Sequence, residues 1–255
     1  MDPAAAIGLG LTLGAIFISM IMEGGQPMAI VIIPPMVLVF GGTIGCAVAG
    51  GVLADLKNLP KSLIGAITAK STPPDAMVET LVRLAERARR DGILALEEEL
   101  KTVENPFLAK GLQMAVDGLD SEEVEDLLAV EIEARRTAGK RAAKVFQDMS
   151  GYAPTIGIIG TVLGLIHVLG NLSEPTTLGE KIASAFVATL WGVLTANAFW
   201  LPIANRIRRI TELECDQMEM ALEGILAIQA GSNPRLVAQK LQSLVPNAGT
   251  EKKAA

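Results

Sequence analysis

Four long windows of this 255-residue sequence contain no Asp, Glu, Lys or Arg: Pro3–Met22, Gly24–Ala54, Gly151–Leu172 and Ile182–Asn205. An average soluble stretch is about a quarter charged, so charge-free runs of this length point to lipid as the surrounding solvent. They exclude a disordered chain and argue against an ordinary soluble enzyme. Only two cysteines are present, Cys46 and Cys215, which excludes a secreted disulfide scaffold. Neither has a Cys or His partner at metal spacing, and both read as packing residues with no metal site. The formal net charge of −6 argues against nucleic-acid binding, because a phosphate backbone demands a basic surface. The sequence also has no Gly-rich phosphate loop with Lys, no H-E-x-x-H and no nucleophile elbow. No catalytic residue stands out and no enzyme reading survives.

What is present is a set of apolar runs of membrane-crossing length. A bilayer core of about 30 Å needs roughly 20 apolar residues as helix. One span is expected over 4–22, a second over 28–53, a third over 152–172 and a fourth over 182–204. Short turns, Glu23–Pro27 and Ser173–Lys181, join them in pairs. The expected organisation is a transmembrane hairpin (1–53), a cytoplasmic helical domain (54–150), a second hairpin (151–205) and a cytoplasmic helical tail (206–255). Of 22 Lys and Arg residues, 21 lie in 54–150 and 205–255; the exception is Lys181. The positive-inside rule makes that side the cytoplasm, with both termini inside. The first span lacks a basic leader and a small-residue cleavage site, so it reads as a retained helix rather than a signal peptide.

The segment between the hairpins reads as helical throughout. Met77, Val78, Leu81, Val82, Leu84 and Ala85 form a helical stripe over Asp75–Arg90, which begins after Thr72-Pro73-Pro74. Gly92 breaks it, and Ile93–Val103 makes a second short helix. Asn105-Pro106 is an N-cap followed by Pro at the first helical position. Ser121 opens a helix that is acidic early and basic late, which suits the macrodipole. No breaker interrupts it before Gly151, so it runs on toward the third span. Apolar residues from Ile207 to Ile228 likewise extend the fourth span, and Asn247–Ala255 reads as a frayed tail. The fold class is all-α: four membrane helices in a 2+2 arrangement, with the third and fourth continuing into the cytoplasm.

An ion path through lipid normally carries a carboxylate, Lys or His, and these spans contain no carboxylate at all. Either the chain conducts nothing, or the titrating acid comes from another chain. The spans do carry small and hydroxyl residues in register: Gly157, Thr161, Gly164 and Val168 in the third, Ala185, Thr189, Gly192 and Ala196 in the fourth. The glycines read as helix packing or as a surface for a foreign helix. Thr161 and Thr189 either bond back to a carbonyl one turn earlier or offer hydroxyls to an ion. His167, the one histidine, reads as a hydrogen-bonded core residue rather than a relay. Pro154 opens the third span, and Pro202 reads as a hinge in the last turn of the fourth.

At these residues the sequence resembles the A subunit of bacterial flagellar stators, the MotA/PomA family of the larger MotA/TolQ/ExbB group. The resemblance covers essentially the whole chain. It rests on Met22-Glu23-Gly24-Gly25, Val39-Phe40-Gly41-Gly42-Thr43, the run Gly151-Tyr152-Ala153-Pro154-Thr155-Ile156-Gly157 through Leu165, Ala188-Thr189-Leu190-Trp191-Gly192 and Pro202-Ile203-Ala204-Asn205, in that order.

The resemblance implies a homopentamer in the bacterial inner membrane, around two helices of a MotB/PomB-like B subunit that supply the ion-binding Asp. No cofactor is implied; the transported ion would be H⁺ or Na⁺. Ion flow would turn the ring against the flagellar rotor switch protein FliG. The family's rotor-contacting Arg and Glu fall on Arg89 and Glu97, with Arg90 and Glu98 (and Arg87 and Glu99) close enough to share the role. Glu131 resembles a further charged site. Pro154 and Pro202 match the prolines the family uses for torque coupling, and Thr189 a common hydroxyl position. Thr161 matches a position that is often Thr in sodium-driven members and often Ala in proton-driven ones, a slight lean to sodium. The alternative is an ExbB/TolQ-like proton-channel scaffold energising an envelope machine; that group typically has three spans and an outside N-terminus.

Overall fold

A computed structural model describes residues 4–51, 59–68, 74–173 and 175–244. Among the described residues every regular element is helical. The first half holds α1 (Ala4–Met22), a 3-10 turn (Pro27–Ile30), α2 (Ile33–Gly50), α3 (Leu59–Thr68), α4 (Pro74–Asp91), a second 3-10 turn (Ile93–Ala95), α5 (Leu96–Leu100) and α6 (Pro106–Val116). Then follow the 49-residue α7 (Ser121–Leu169), α8 (Pro175–Thr195), a π turn (Ala196–Trp200), α9 (Leu201–Gln229) and α10 (Pro234–Leu244). No breaker stands between Ser121 and Gly151, and α7 then runs on through Gly151 and Pro154, so Pro154 lies inside the helix rather than opening the third span.

The boundaries differ from the sequence expectation at three places, each for a local reason. The second span does not start as helix at 28: Pro27–Ile30 is a 3-10 turn, Ile32 is extended (φ −114, ψ 117), and α2 begins at Ile33. Pro34 and Pro35 are adjacent and lack two consecutive N–H groups for the carbonyls one turn earlier, which favours a helix that restarts just ahead of them, with proline in its first turn. The turn between the last two spans is shorter than Ser173–Lys181. Helix α7 stops at Leu169 rather than 172 and α8 starts at Pro175, where proline's fixed φ suits a first helical position. The expected helix over Ile93–Val103 divides into a 3-10 turn and the single turn of α5. The end of the second span at 52–53, the residues Thr72-Pro73 ahead of α4 and the tail 247–255 lie outside the described residues.

The chain packs as two units. One comprises 1–70 and 139–210, the other 71–138 and 211–255. In the first, Ala47, Ala143, Phe146, Met149, Ala153, Ala196, Trp200, Ala204 and Ile207 form a buried cluster, against which Leu59 and Leu63 of α3 pack. Three of its helical stretches are long and apolar enough to cross a membrane: Ile33–Gly50, the apolar part of Ser121–Leu169, and that of 176–229. The apolar stretch Ala6–Met22 is shorter. Many large aliphatic and aromatic side chains of these helices, such as Ile158, Val162, Ile166 and Phe186, are exposed, as expected where lipid or another chain is the neighbour.

The second unit has a conventional core. Leu81 and Leu84 of α4, Leu96 of α5, Leu108 and Leu112 of α6, Leu128 of α7, Ile225 of α9 and Leu241 of α10 are all fully buried. Two glycines set the approach distances. A Cβ on Gly111 would lie 2.4 Å from Ile225 Cδ1, and one on Gly224 would lie 2.6 Å from Leu81 Cδ1. The Asn105 cap is present as expected: its side-chain oxygen accepts from the Phe107 and Leu108 amides at 3.0 and 3.1 Å. Asn105→Ala is expected to cost about 1 kcal/mol, seen as a lower thermal unfolding midpoint of the detergent-solubilised chain. An unchanged midpoint would show that the cap contributes nothing.

Cys215 is fully buried, with its thiol 3.9 Å from the Ile132 carbonyl. Burial pushes the thiol up, against the opposing pull of Arg136 and Arg135. A raised thiol leaves less reactive thiolate at any given pH. Alkylation of Cys215 at pH 8 is therefore expected to be at least about tenfold slower in the folded chain than in denaturant, as followed by mass spectrometry. Equal rates would contradict the burial.

Candidate functional site

The expected hydroxyl pair comes together across the seam between α7 and α8. Residues without bulk make this possible. A Cβ on Gly157 would stand 2.9 Å from the Ala188 carbonyl oxygen, one on Gly160 2.6 Å from Ala188 Cβ, and one on Gly164 2.5 Å from Ala185 Cβ. From the other side, a Cβ on Gly192 would stand 2.6 Å from the Ala153 carbonyl oxygen. The two backbones are in contact here, which only small residues allow.

At that closeness the threonines bond across the seam as well as back along their own helix. The Thr161 hydroxyl lies 3.0 Å from the Ala185 carbonyl on the facing helix and 3.3 Å from its own Gly157 carbonyl. The Thr189 hydroxyl reaches across to the Gly157 carbonyl at 3.3 Å, and the two hydroxyls hydrogen-bond to each other. Back-bonding thus accounts for one of several contacts, and the rest cross between helices. Each hydroxyl has one proton and two lone pairs. One of the two protons lies between the hydroxyl oxygens and the other goes to a neighbouring carbonyl, leaving oxygen lone pairs at a half-buried point in a charge-free segment.

Below this pair the helix is irregular. One π turn, Ala196–Trp200, joins α8 to α9, and π turns are frequent at functional positions. Pro154 and Pro202 both sit inside continuous helix, and neither has an amide N–H to give to the preceding turn. The irregular turn sits immediately before Pro202 rather than at it. Side chains cover several carbonyls nearby: the Thr195 hydroxyl donates to the Trp191 carbonyl at 2.7 Å, and Asn197 Nδ2 to the Val193 carbonyl at 2.9 Å. Trp200 packs edge-on against Phe199, with ring centres 4.7 Å apart, and lies near Phe146.

The sequence reading does not single out Asn197, although it is an amide inside an otherwise charge-free span. It also passes over Trp191. The Trp191 indole N–H donates to the Ile30 carbonyl at 2.7 Å, and its ring lies 5.8 Å from that of Phe40. An indole in a span needs such an acceptor, and that need is the signal the sequence offers. His167 is exposed, not a hydrogen-bonded core residue. It falls off the stripe of Gly160, Gly164 and Val168 by which α7 packs.

The charged candidates lie at the end of α4 and in the turn beyond, where Gly92 (φ +85) reverses the chain in a conformation other residues rarely take. Most of these charges are paired with each other. Arg83 meets Glu99 at 3.0 Å, Arg87 meets Asp91 at 3.1 Å and Glu98 at 3.8 Å, and Arg90 meets Asp91 at 3.2 Å. The hydrogen bond from Arg90 holds the Asp91 carboxyl below its usual range and raises the Arg90 guanidinium in turn. Arg89 and Glu97 are exposed and have no ion pair within the described residues. Glu131 is half-buried and accepts from Lys110. Of this crowded set, Arg89 and Glu97 alone combine exposure with a free charge among the described residues.

An all-helical chain with membrane-length apolar helices, a backbone-to-backbone seam and no acid in it has the form of one component of a multi-chain membrane ion channel. The comparisons with known proteins agree. Residues 6–92 match the family model for the motility protein A N-terminal region, and residues 99–220 that of the MotA/TolQ/ExbB proton channel family. Motility protein A of Bacillus subtilis is 33% identical over 248 residues, covering 96% of this chain and 92% of that one. The flagellar MotAB stator complex from Bacillus subtilis contains a chain that superimposes with a TM-score of 0.92 at 31% identity over 100% of both chains. A chain of C. jejuni MotAB superimposes with a TM-score of 0.93 at 28% identity over 98% of both chains. The chain belongs to the MotA/TolQ/ExbB proton channel family. Within it, this protein is a stator subunit of the flagellar motor, embedded in the inner membrane.

Proposed function

We propose that this chain is the A subunit of an ion-driven rotary unit, and that it supplies every part of the ion path except the acid. The observation that carries this is the Thr161–Thr189 pair: two hydroxyls held together in a segment without a single carboxylate. A B subunit of the MotB/PomB kind, such as the MotAB complexes contain, supplies the Asp. Five copies ring two B helices, and ion passage turns the ring. Four spans in a 2+2 arrangement fit this. Helix α1, 19 residues long, measures about 28 Å, close to the roughly 30 Å bilayer core. The basic residues outside the spans place both termini in the cytoplasm. Pro154 and Pro202 are the flexible points that transmit movement of the seam. Arg89 and Glu97 are the charges offered to the rotor protein FliG, while Arg90, Glu98 and Glu131 are held by partners within the chain.

The transported ion is Na⁺ in preference to H⁺. Sodium wants several oxygen ligands, and a hydroxyl pair beside the B-subunit Asp provides two. The test is swimming speed against external Na⁺ at fixed pH, in cells whose own A subunit is replaced by this chain together with its B subunit. A saturating dependence on Na⁺ that Thr161→Ala weakens supports the reading. A Na⁺ dependence untouched by Thr161→Ala removes the hydroxyl role, and normal motility in a strain deleted for this chain rejects the stator assignment.

A further inference from the structure

The stretches that carry α7 and α9 out of their apolar runs, 139–150 and 205–210, hold six Lys or Arg residues and one acid, Asp148. The unit formed by 71–138 and 211–255 has the opposite balance, with 12 Lys or Arg and 22 acids. In that acid-rich unit Arg83, Arg87, Arg90, Arg135 and Arg136 each meet a carboxylate. Arg208 is exposed and meets none among the described residues; its guanidinium donates to the Gln147 side-chain oxygen at 2.8 Å. The acid beside Gln147, Asp148, is held by Lys144 at 2.9 Å. The positive-inside rule accounts for cations at this end of the spans, but not for a guanidinium paired with a neutral amide.

The orientation of that amide follows from its partner. A guanidinium has donors only, so Gln147 must turn its oxygen to Arg208 and its NH₂ away. The NH₂ has no acceptor among the described residues, and Gln147 is exposed. Most of the Arg208 N–H groups are also unused. The pair is therefore a set of free donors around a positive charge, which suits an anion with several oxygens. Arg208 lies four residues past Ala204, where the fourth span is expected to end, and Gln147 five residues ahead of Tyr152, where the third is expected to begin. The corresponding helix rises are about 6 and 8 Å. The polar layer flanking the bilayer core is about 5–8 Å deep on each side, so both side chains stand at the level of lipid phosphates.

We propose that Arg208 and Gln147 bind the phosphodiester of an anionic glycerophospholipid in the leaflet at this end of the spans. A planar guanidinium can give a phosphate two parallel N–H bonds, and the Gln147 NH₂ supplies a third donor. Arg206 and Arg209 add positive charge on the same helix. An ammonium headgroup, as in phosphatidylcholine, meets that charge unfavourably; the glycerol headgroup of phosphatidylglycerol carries no cation. The site requires only that the chain is embedded in the inner membrane, and it is indifferent to which ion is carried.

The test uses the full chain purified with its B subunit in mild detergent. Phosphatidylglycerol and phosphatidylcholine of equal chain length are titrated separately, and native mass spectrometry counts the bound lipids. The unaltered complex is expected to bind phosphatidylglycerol about tenfold more tightly. Gln147→Glu keeps the contact to Arg208 as an ion pair, yet removes the NH₂ and the net charge. It is expected to weaken phosphatidylglycerol binding about fivefold to tenfold and leave phosphatidylcholine binding unchanged. Arg208→Lys keeps the charge but loses the planar fork, for a loss of about threefold. Arg83→Gln, which removes the same charge from the other unit, should change nothing. Unaltered phosphatidylglycerol binding by Gln147→Glu overturns the site, as does equal binding of the two lipids by the unaltered complex. If Gln147→Glu fails to assemble, Arg208→Lys decides, and normal affinity there overturns the site by reducing it to net charge. Inorganic phosphate at millimolar concentration is added as a competitor. Displacement of the lipid by it would assign a free-anion site and overturn the lipid reading.

Discussion

Gly192→Val and Gly157→Val are expected to stop swimming, while Gly151→Ala leaves it intact. A Cβ at Gly192 would stand 2.6 Å from the Ala153 carbonyl oxygen and 3.1 Å from Gly157 Cα; one at Gly157 would stand 2.9 Å from the Ala188 carbonyl oxygen and 3.2 Å from Gly192 Cα. These neighbours are backbone atoms, which cannot swing aside as a side chain can. The helices must separate, and overpacking of this kind costs about 1–3 kcal/mol per site. The functional loss exceeds the energetic one. The Thr161 hydroxyl reaches the Ala185 carbonyl at 3.0 Å and Thr189 reaches Gly157 at 3.3 Å, so a separation of about 1 Å breaks every bond across the seam. Gly151 lies in the same helix, and a Cβ there would meet nothing within 4 Å, which makes it the matched control. Swimming and co-purification with the B subunit are the readouts. Normal swimming by Gly192→Val would show that the seam is not tight.

Reversing Arg89 or Glu97 has the second large effect. Arg89→Glu and Glu97→Lys are each expected to cut swimming at least about tenfold, because like charges brought face to face across a contact cost several kcal/mol. Membrane level and co-purification with the B subunit should not change. Arg83→Glu is the control. It breaks an exposed pair with Glu99 at 3.0 Å, worth only about 0–1 kcal/mol, and leaves the free charges in place. Complementary reversal on the rotor side should restore swimming to the Arg89 and Glu97 variants. Full motility with both residues reversed would reject the rotor contact. The same arithmetic explains why neighbouring Arg90 is a poorer candidate: its guanidinium is already committed to Asp91 at 3.2 Å.

The candidate site is partly legible in the sequence. Thr161 and Thr189 stand out by their spacing to small residues, since helical periodicity is a local property of the chain. Their choice of partner is not legible. Whether a threonine bonds back to its own helix or across to another depends on how closely two backbones approach, and residues 24 and 28 apart in sequence decide that. The charge cluster behaves in the same way. Arg87, Arg89 and Arg90 look equivalent as letters; the turn at Gly92 folds Glu98 and Glu99 back within reach of Arg87 and Arg83 and leaves Arg89 without an ion pair among the described residues. For His167 the apolar run around it suggests burial, whereas its side of the helix decides exposure.

Composition and order alone determined the membrane class, the all-helical fold, the Asn105 cap and the missing acid, because charge, hydropathy and capping act within a few residues of themselves. The sequence also held the two prolines at 34 and 35 that delay α2, a boundary that follows from backbone chemistry once their missing N–H groups are counted. Tertiary structure decided the rest. It placed a π turn ahead of Pro202, turned Asn197 outward, joined two hydroxyls across a seam of glycine and alanine, and separated free charges from paired ones. Each of these depends on distances between segments far apart in the chain, and such distances are set by packing rather than by neighbouring residues.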